Sequence, residues 1–299
     1  MNYYIGVDLG GTNVRACKTD ENGNIIEQYD NKSYGLIGPK EKIRDAIFSC
    51  LDNIHDIDKT KGIGIAVPGP VDVYKKVMSI SSNLVGFKDY NLAALLEERY
   101  KLPVFIDNDA NMAGLAEATL GAGKDEDIVY YITHSTGIGG ALVIGKKVVS
   151  GQKGFAGEIG NIIVKDNSQK YVETLNAGSV ESEASGRALT RIAKELLGDN
   201  ASSKDLFDEY QKGNKMAIKE IDEMAYDMGR LLATIGQVVD PHVFVVGGGV
   251  SNHQADIYWP KMLETYHKLF NGTPAKVVKA KLKEPGILGA AMLVKTSLN

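Results

Sequence analysis

With 299 residues, 43% of them hydrophobic and 24% charged, the chain has the composition of an ordinary soluble globular protein and the length of about two domains. A net charge of −4 and a pI near 5.8 exclude the basic footprint that nucleic acid or an anionic membrane requires, so a small molecule is the expected partner. Two cysteines, Cys17 and Cys50, are too few for a disulfide framework or a thiolate zinc site; both sit in apolar-periodic segments, which favours buried free thiols and a reducing cytoplasm.

The N-terminus enters a strand at Tyr3 without the pattern of a signal peptide, and no apolar run approaches membrane-spanning length. Residues 3–9 read as a strand, Gly10-Gly11-Thr12 as a turn and residues 14–19 as the returning strand, and Asn22-Gly23 turns into a third strand over 25–29. Apolar residues at spacings of three and four predict a helix over 40–54, followed by a strand over 62–67 that Pro68-Gly69-Pro70 ends. Residues 71–80 suggest an outlying hairpin or loop. Asn91 caps a predicted helix through Tyr100, Pro103 opens the next strand, and a helical pattern over 112–120 follows Asp107-Asn108-Asp109-Ala110-Asn111.

After the charged break at 124–127, a strand over 128–133, a turn at 135–137 and a strand over 139–144 repeat the opening strand, glycine turn and strand. Two such units a domain length apart suggest duplicated α/β halves facing each other across a cleft. The second half then turns helical, over 185–197, about 204–210 and 215–239, the last stopped at Asp240-Pro241. A buried-looking strand over 242–246 ends in Gly247-Gly248-Gly249, a helix is expected near 255–270, and an apolar terminal helix over 286–295.

Several of these positions suit phosphate chemistry. Asp8 at a strand end suits a Mg²⁺ held through water, and Gly10 to Thr12 lets backbone N–H groups approach an anion, although a plain hairpin turn explains the same residues. Ser135-Thr136-Gly137-Ile138-Gly139-Gly140 offers the same device in the second half, and the pairing favours a nucleotide held between domains. Residues 140–147 approach a Walker A loop, but Lys147 stands where the metal-binding Ser or Thr belongs and the run reads as a strand. Asp109 at a helix start suits a base that accepts a hydroxyl proton, the alternative being a helix cap. Glu158 and Glu181 are candidate acceptors for sugar hydroxyls, solvated surface carboxylates being the commoner case. The five histidines lack metal-ligand spacing; His134 abuts the second turn, as a phosphate contact or as a structural residue.

Taken in order, Asp8-Leu9-Gly10-Gly11-Thr12, residues 67–72, Asn108-Asp109-Ala110-Asn111, residues 136–140, Gly157-Glu158-Ile159-Gly160 and Gly247-Gly248-Gly249 make the whole chain resemble a ROK-family (repressor, open reading frame, kinase) sugar kinase. The resemblance implies an α/β, two-domain actin-like ATPase (ribonuclease H-like) fold with an interdomain cleft: an N-terminal domain over 1–118, joined by a C-terminal helix over 285–299, and a C-terminal domain over 119–284. It implies Asp109 as catalytic base and Gly69, Ser82, Asn83, Asn108, Glu158 and Glu181 at the sugar. Gly10, Gly11, Thr12, Thr136 and Gly137 would hold phosphates, Gly247 and Gly248 would border the adenosine, and Asp8 would hold Mg²⁺ through water. ATP and Mg²⁺ are the implied cofactors, and a homodimer without nucleic acid or membrane is the implied state.

The family commonly places a histidine after Glu-x-Gly and a Cys-x-Cys-x4-Cys cluster before its second sugar glutamate, binding structural zinc. Asn161, Val172, Thr174 and Ser179 occupy those positions, so no zinc is expected, and hydroxyl recognition near Asn161 is altered. Ser135 replaces a glycine usual before Thr-Gly. The expected activity is an ATP-dependent sugar kinase acting on glucose, with N-acetylmannosamine or a β-glucoside as alternative acceptors. A non-catalytic sugar-responsive regulator is the competing class, disfavoured because the first turn comes by Gly10, without a preceding helix-turn-helix; a non-sugar actin-like ATPase is a third. Asp107 is assigned neither to proton acceptance nor to the sugar.

Overall fold

The computed structural model describes residues 1–33, 39–79, 84, 86–87, 90–172 and 175–298. By packing, the chain divides into two compact units: Met1–Tyr131 with Ala141–Gly157 and Lys281–Asn299, and Ile132–Gly140 with Glu158–Ala280.

The first unit is built on β1 (Tyr3–Leu9), β2 (Asn13–Asp20), β3 (Ile25–Lys32), β4 (Ile63–Val67), the short ribbon β5 (Val71–Asp72) with β6 (Val77–Met78), and β7 (Val104–Asn108). The main sheet runs β3-β2-β1-β4-β7, its first three strands antiparallel and β1, β4 and β7 parallel. β4 is buried along its whole length, as expected of a central parallel strand. α1 (Lys40–Asp52) buries Ile43, Ala46, Ile47, Cys50 and Leu51, the face foreseen from their spacing. α2 (Leu92–Tyr100) is capped by Asn91, whose side chain accepts from Ala94 N, again as expected. α3 (Asp109–Thr119) begins directly at the end of β7.

The expectation of a plain third strand over 25–29 understates β3, which continues to Lys32 against β2. The terminal helix α9 (Pro285–Leu298) packs on β1, β4 and α3. It approaches so closely that a side chain at Gly6 would strike Ile287 O and one at Gly64 would strike Ala290 O; the two glycines are cross-strand partners, forming a smooth floor under the helix.

The second sheet runs β10-β9-β8-β11-β12, from β8 (Ile128–His134), β9 (Ile138–Ile144), β10 (Lys147–Val148), β11 (Val243–Gly247) and β12 (Lys276–Lys279). Leaving the ribbon aside, both sheets have the order third, second, first, fourth, fifth, so the duplicated strand-turn-strand pattern reports a duplicated topology. Helices of the second unit are α4 (Val180–Ala184), α5 (Gly186–Leu197), α6 (Ser203–Gln211), α7 (Lys215–Val239) and α8 (Gly249–Leu269). α7 has the bounds its periodicity predicts, ending at a left-handed Asp240 before Pro241. α8 departs from expectation: it begins at Gly249, well before residue 255, and runs through Pro260. β12 was not foreseen. Both cysteines are buried free thiols, pushed up to about 12 for Cys17 and about 11 for Cys50 by desolvation. Among the described residues, no helix is long and apolar enough to cross a membrane.

Candidate active site

In the first unit the candidate residues gather where β7 passes into α3. Asn108 is the N-cap: its Oδ1 accepts from Ala110 N at 2.8 Å and Asn111 N at 3.2 Å. Its Nδ2 donates to Gly69 O at 3.1 Å, which ties the predicted sugar residue Gly69, in a left-handed turn with φ 86, to the helix start. Asn108 therefore uses both ends of its amide structurally, and one Nδ2 hydrogen has no partner among the described residues.

Asp109 is the first residue of α3, and its side chain accepts from Ala110 N at 2.8 Å. It is exposed, so water reaches the carboxylate, while the surrounding protein still desolvates it. That desolvation pushes its carboxyl up to about 6; the Ala110 N–H opposes the shift and the Asp8 charge adds to it.

Beneath this helix start lies Asp107, which is buried, and its carboxylate accepts three hydrogen bonds. Oδ1 takes Asn108 N at 2.7 Å and Asn111 Nδ2 at 2.8 Å, and Oδ2 takes Ser150 Oγ at 2.7 Å. Desolvation raises its pKa while all three donors oppose the rise. Asp107 thus joins β7, the first turn of α3 and the segment that follows β10, a function that its sequence position did not announce.

Asp8, the last residue but one of β1, faces Arg15 on β2, its cross-strand partner, at 2.5 Å; Arg15 also reaches Glu284 at 3.0 Å. The Gly10-Gly11-Thr12 turn is closed by Gly10 N donating to Asn13 O at 2.9 Å. Ser82 and Asn83, expected at the sugar, lie outside the described residues.

The second unit holds a separate cluster around a cavity of about 790 Å³, within the size range of small-molecule sites. Its lining includes Ser135 and Thr136 of the second glycine turn, Gly186 and Arg187 at the start of α5, Lys204 and Phe207 of α6, and Gly249 at the start of α8. The first residues of three helices, Gly186, Ser203 and Gly249, therefore line one cavity, which favours an anion there. α8 has no side-chain cap. Gly247 and Gly248 form the strand end and helix cap next to this lining; Gly248 has φ 91, and a Cβ there would come within 2.5 Å of His134 O. Gly186 N donates to Ser135 O at 2.8 Å and Arg187 N to Thr136 O at 3.1 Å, fixing the turn on α5. The α5, α6 and α8 contributions were missed in the sequence because they are neighbours only after folding.

Glu181, on α4, has its carboxylate against that turn: Oε2 accepts from Ile138 N at 2.7 Å and Oε1 from Arg187 Nη2 at 3.2 Å. Among the described residues, each oxygen keeps a further lone pair for a hydroxyl. Glu158 is exposed at the N-cap of the 3-10 turn Ile159–Asn161, and Asn161 Oδ1 accepts from Asn176 N at 2.9 Å. His134 is buried between Tyr258 OH at 2.9 Å and Ala184 O at 2.8 Å, with desolvation lowering its pKa to about 4. Facing a carbonyl, Nε2 carries the proton and Nδ1 accepts from the tyrosine, so the structural alternative holds and His134 does not serve a phosphate.

A family model described as "ROK family" matches residues 4–297. A glucokinase of Halalkalibacterium halodurans is 30% identical to this chain, over 99% of the chain and 96% of that protein. Among solved structures, a ROK hexokinase from Thermus thermophilus superposes with a TM-score of 0.88 at 31% identity, covering 99% of both chains. A ROK family glucokinase from Streptomyces griseus, in complex with glucose and AMPPNP, superposes with a TM-score of 0.79 at 30% identity, over 99% of this chain and 100% of that one.

Proposed function

The chain belongs to the ROK family, and from that premise we propose that it is an ATP-dependent sugar kinase, transferring a phosphoryl group to a hydroxyl of a hexose, glucose first among the acceptors. The observation that carries the reading is the start of α3. An exposed aspartate stands there beside an asparagine that caps the helix and, among the described residues, keeps an amide hydrogen for a ligand. In this reading the two domains are residues 1–118 with 285–299 and residues 119–284, and each supplies both sugar and phosphate contacts.

ATP supplies the transferable γ-phosphoryl group and Mg²⁺ neutralises its charge when bound. Asp109 accepts the proton of the attacking hydroxyl. A carboxyl with a pKa of about 6 is about 90% ionised at pH 7, yet basic enough to take that proton. Asn108 donates its remaining amide hydrogen to the sugar, with Gly69, Glu158 and Glu181 as further hydroxyl partners. The turns at Gly10–Thr12 and Thr136–Gly137 receive phosphates, with the uncapped start of α8 adding its amides.

Asp8 suits Mg²⁺: it is one carboxylate, held in place by Arg15 through Oδ2. Mg²⁺ takes one or two carboxylates with waters and phosphates rather than a cage of side chains. The positions of the family's structural zinc do not suit that metal. Asn161 spends its Oδ1 on a backbone amide, Val172 is aliphatic, Ser179 donates its hydroxyl to Ser182, and Thr174 lies outside the described residues. A cytoplasmic homodimer completes the reading.

The test is an ADP-release assay over glucose, N-acetylmannosamine, N-acetylglucosamine, fructose, allose and cellobiose. Turnover with glucose is expected; binding of sugars with no ADP released from any of them would instead indicate a sugar-responsive regulator.

A further inference from the structure

The segment between Asn161 and α4 connects the two candidate sugar carboxylates, Glu158 and Glu181, and contains neither cysteine nor histidine. We infer that an ionic staple to α7 does the metal's work, and that Lys165 and Glu183 are positioning residues for Glu181.

Glu220, Glu223, Asp227 and Arg230 recur on α7 at intervals of three and four and so share one face of the helix. The connecting segment meets that face at three points. Lys170 Nζ lies 3.1 Å from Glu220 Oε2, Lys165 Nζ lies 2.7 Å from Glu223 Oε2, and Arg230 donates to Val164 O. Lys165 has a second carboxylate within reach, Glu183 Oε2 at 3.9 Å, and Ser168 Oγ donates to Glu183 Oε1.

Glu183 makes this staple consequential. Its side chain is only 3% exposed, and it sits two residues after Glu181 on α4, a helix of five residues. One turn of helix does not hold its own direction, so the groups gripping α4 set where Glu181 points. The segment and α4 have further partners away from α7: Arg191 on α5 donates to Tyr171 O at 2.8 Å and to Ser182 O at 2.9 Å, Val172 N donates to Ser182 Oγ, and Ser182 Oγ donates to Asn176 O. The ion pairs to α7 are separable from these contacts, because none of the latter involves Lys165 or Glu223.

The inference rests on the kinase reading only for its kinetic readout, and amide hydrogen exchange judges it independently. The probes are Val164 N and Lys165 N, both bonded to Gly178 O, and Val180 N, bonded to Ile162 O. In Lys165→Met and in Glu223→Gln these amides exchange faster than in the parent, with the rest of α7 unchanged. The Michaelis constant for the sugar rises about threefold to fivefold, as a half-exposed ion pair allows, while kcat stays within about twofold. Lys165→Arg restores both readouts. Parent protein treated with EDTA and returned to Mg²⁺ keeps its protection, whereas 1 M NaCl, with a Debye length of about 3 Å, weakens it.

Unchanged exchange and sugar constant in both variants would overturn the staple. So would loss of protection on chelation that zinc restores. If the parent phosphorylates no sugar, the kinase reading falls, and the exchange and salt arms still decide the staple.

Discussion

Asp107 is the residue whose replacement most directly tests how the site is held. In Asp107→Ala, Asn108 N, Asn111 Nδ2 and Ser150 Oγ all lose their acceptor, in a place where Asp107 itself is only 2% exposed. A hydrogen bond to a charged group contributes about 1.5–3 kcal/mol, and stranded buried donors add a desolvation cost. Against this stands relief from burying a carboxylate, which the raised pKa of Asp107 shows to be unfavourable. The balance is a loss of roughly 3 kcal/mol, near the upper range for a single replacement. Asp107→Asn keeps an acceptor for Asn108 and Asn111 and turns an amide toward Ser150, whose hydroxyl accepts as well as donates, so it costs about 1 kcal/mol. Because Asn111 and Asn108 are the first-turn partners of Asp109, the alanine variant also lowers kcat. Denaturant melts of the first-unit transition, with initial rates of phosphorylation, measure both effects. If Asp107→Ala matched the parent in stability and kcat, the brace would be unimportant and the reasoning refuted.

Asp109→Asn should lower kcat by about 10²–10⁴-fold with sugar affinity largely kept, and the parent's kcat/KM should rise with pH through about 6 as Asp109 ionises; isothermal titration and a pH-rate profile check this. Asp227 is buried on α7 and pushed up to about 7, first by desolvation and further by Glu183 and Glu223, with Lys165 and Arg230 opposing. Its folded pKa lies above the ordinary 3.8, so the native state holds the extra proton. The contribution of Asp227 to stability should be greatest at low pH and fall as pH rises from about 4 to about 7. Asp227→Asn should flatten that slope in melts recorded across the window. In Gly186→Ala the added Cβ would lie 2.7 Å from Ser135 O, a backbone atom of the second turn; the Michaelis constant for ATP should rise by about tenfold or more, and that for the sugar by less.

Much of the first sheet was readable because short-range rules govern it. The turn at Gly10-Gly11 fixes a hairpin register, and in the structure that register makes Asp8 and Arg15 cross-strand partners joined by a salt link. Asn91 announced its helix through a local cap, and α7 through a single apolar stripe. α8 was misplaced because Gly248-Gly249 has low helix propensity, and an uncapped glycine start resembles a loop until the cavity beside it is seen.

By itself the sequence determined the α/β class, the two glycine turns, the Asn108-Asp109 pair and the family, since each depends on neighbours along the chain or on motifs in fixed order. Only the tertiary structure decided that Asp107 is a brace, that His134 is a neutral packing residue, that α5, α6 and α8 line one cavity, and that α7 grips the segment before Glu181. These rest on contacts across tens of residues, Asp107 with Ser150, His134 with Tyr258, Lys165 with Glu223, and a buried polar atom takes whatever partner the fold brings to it.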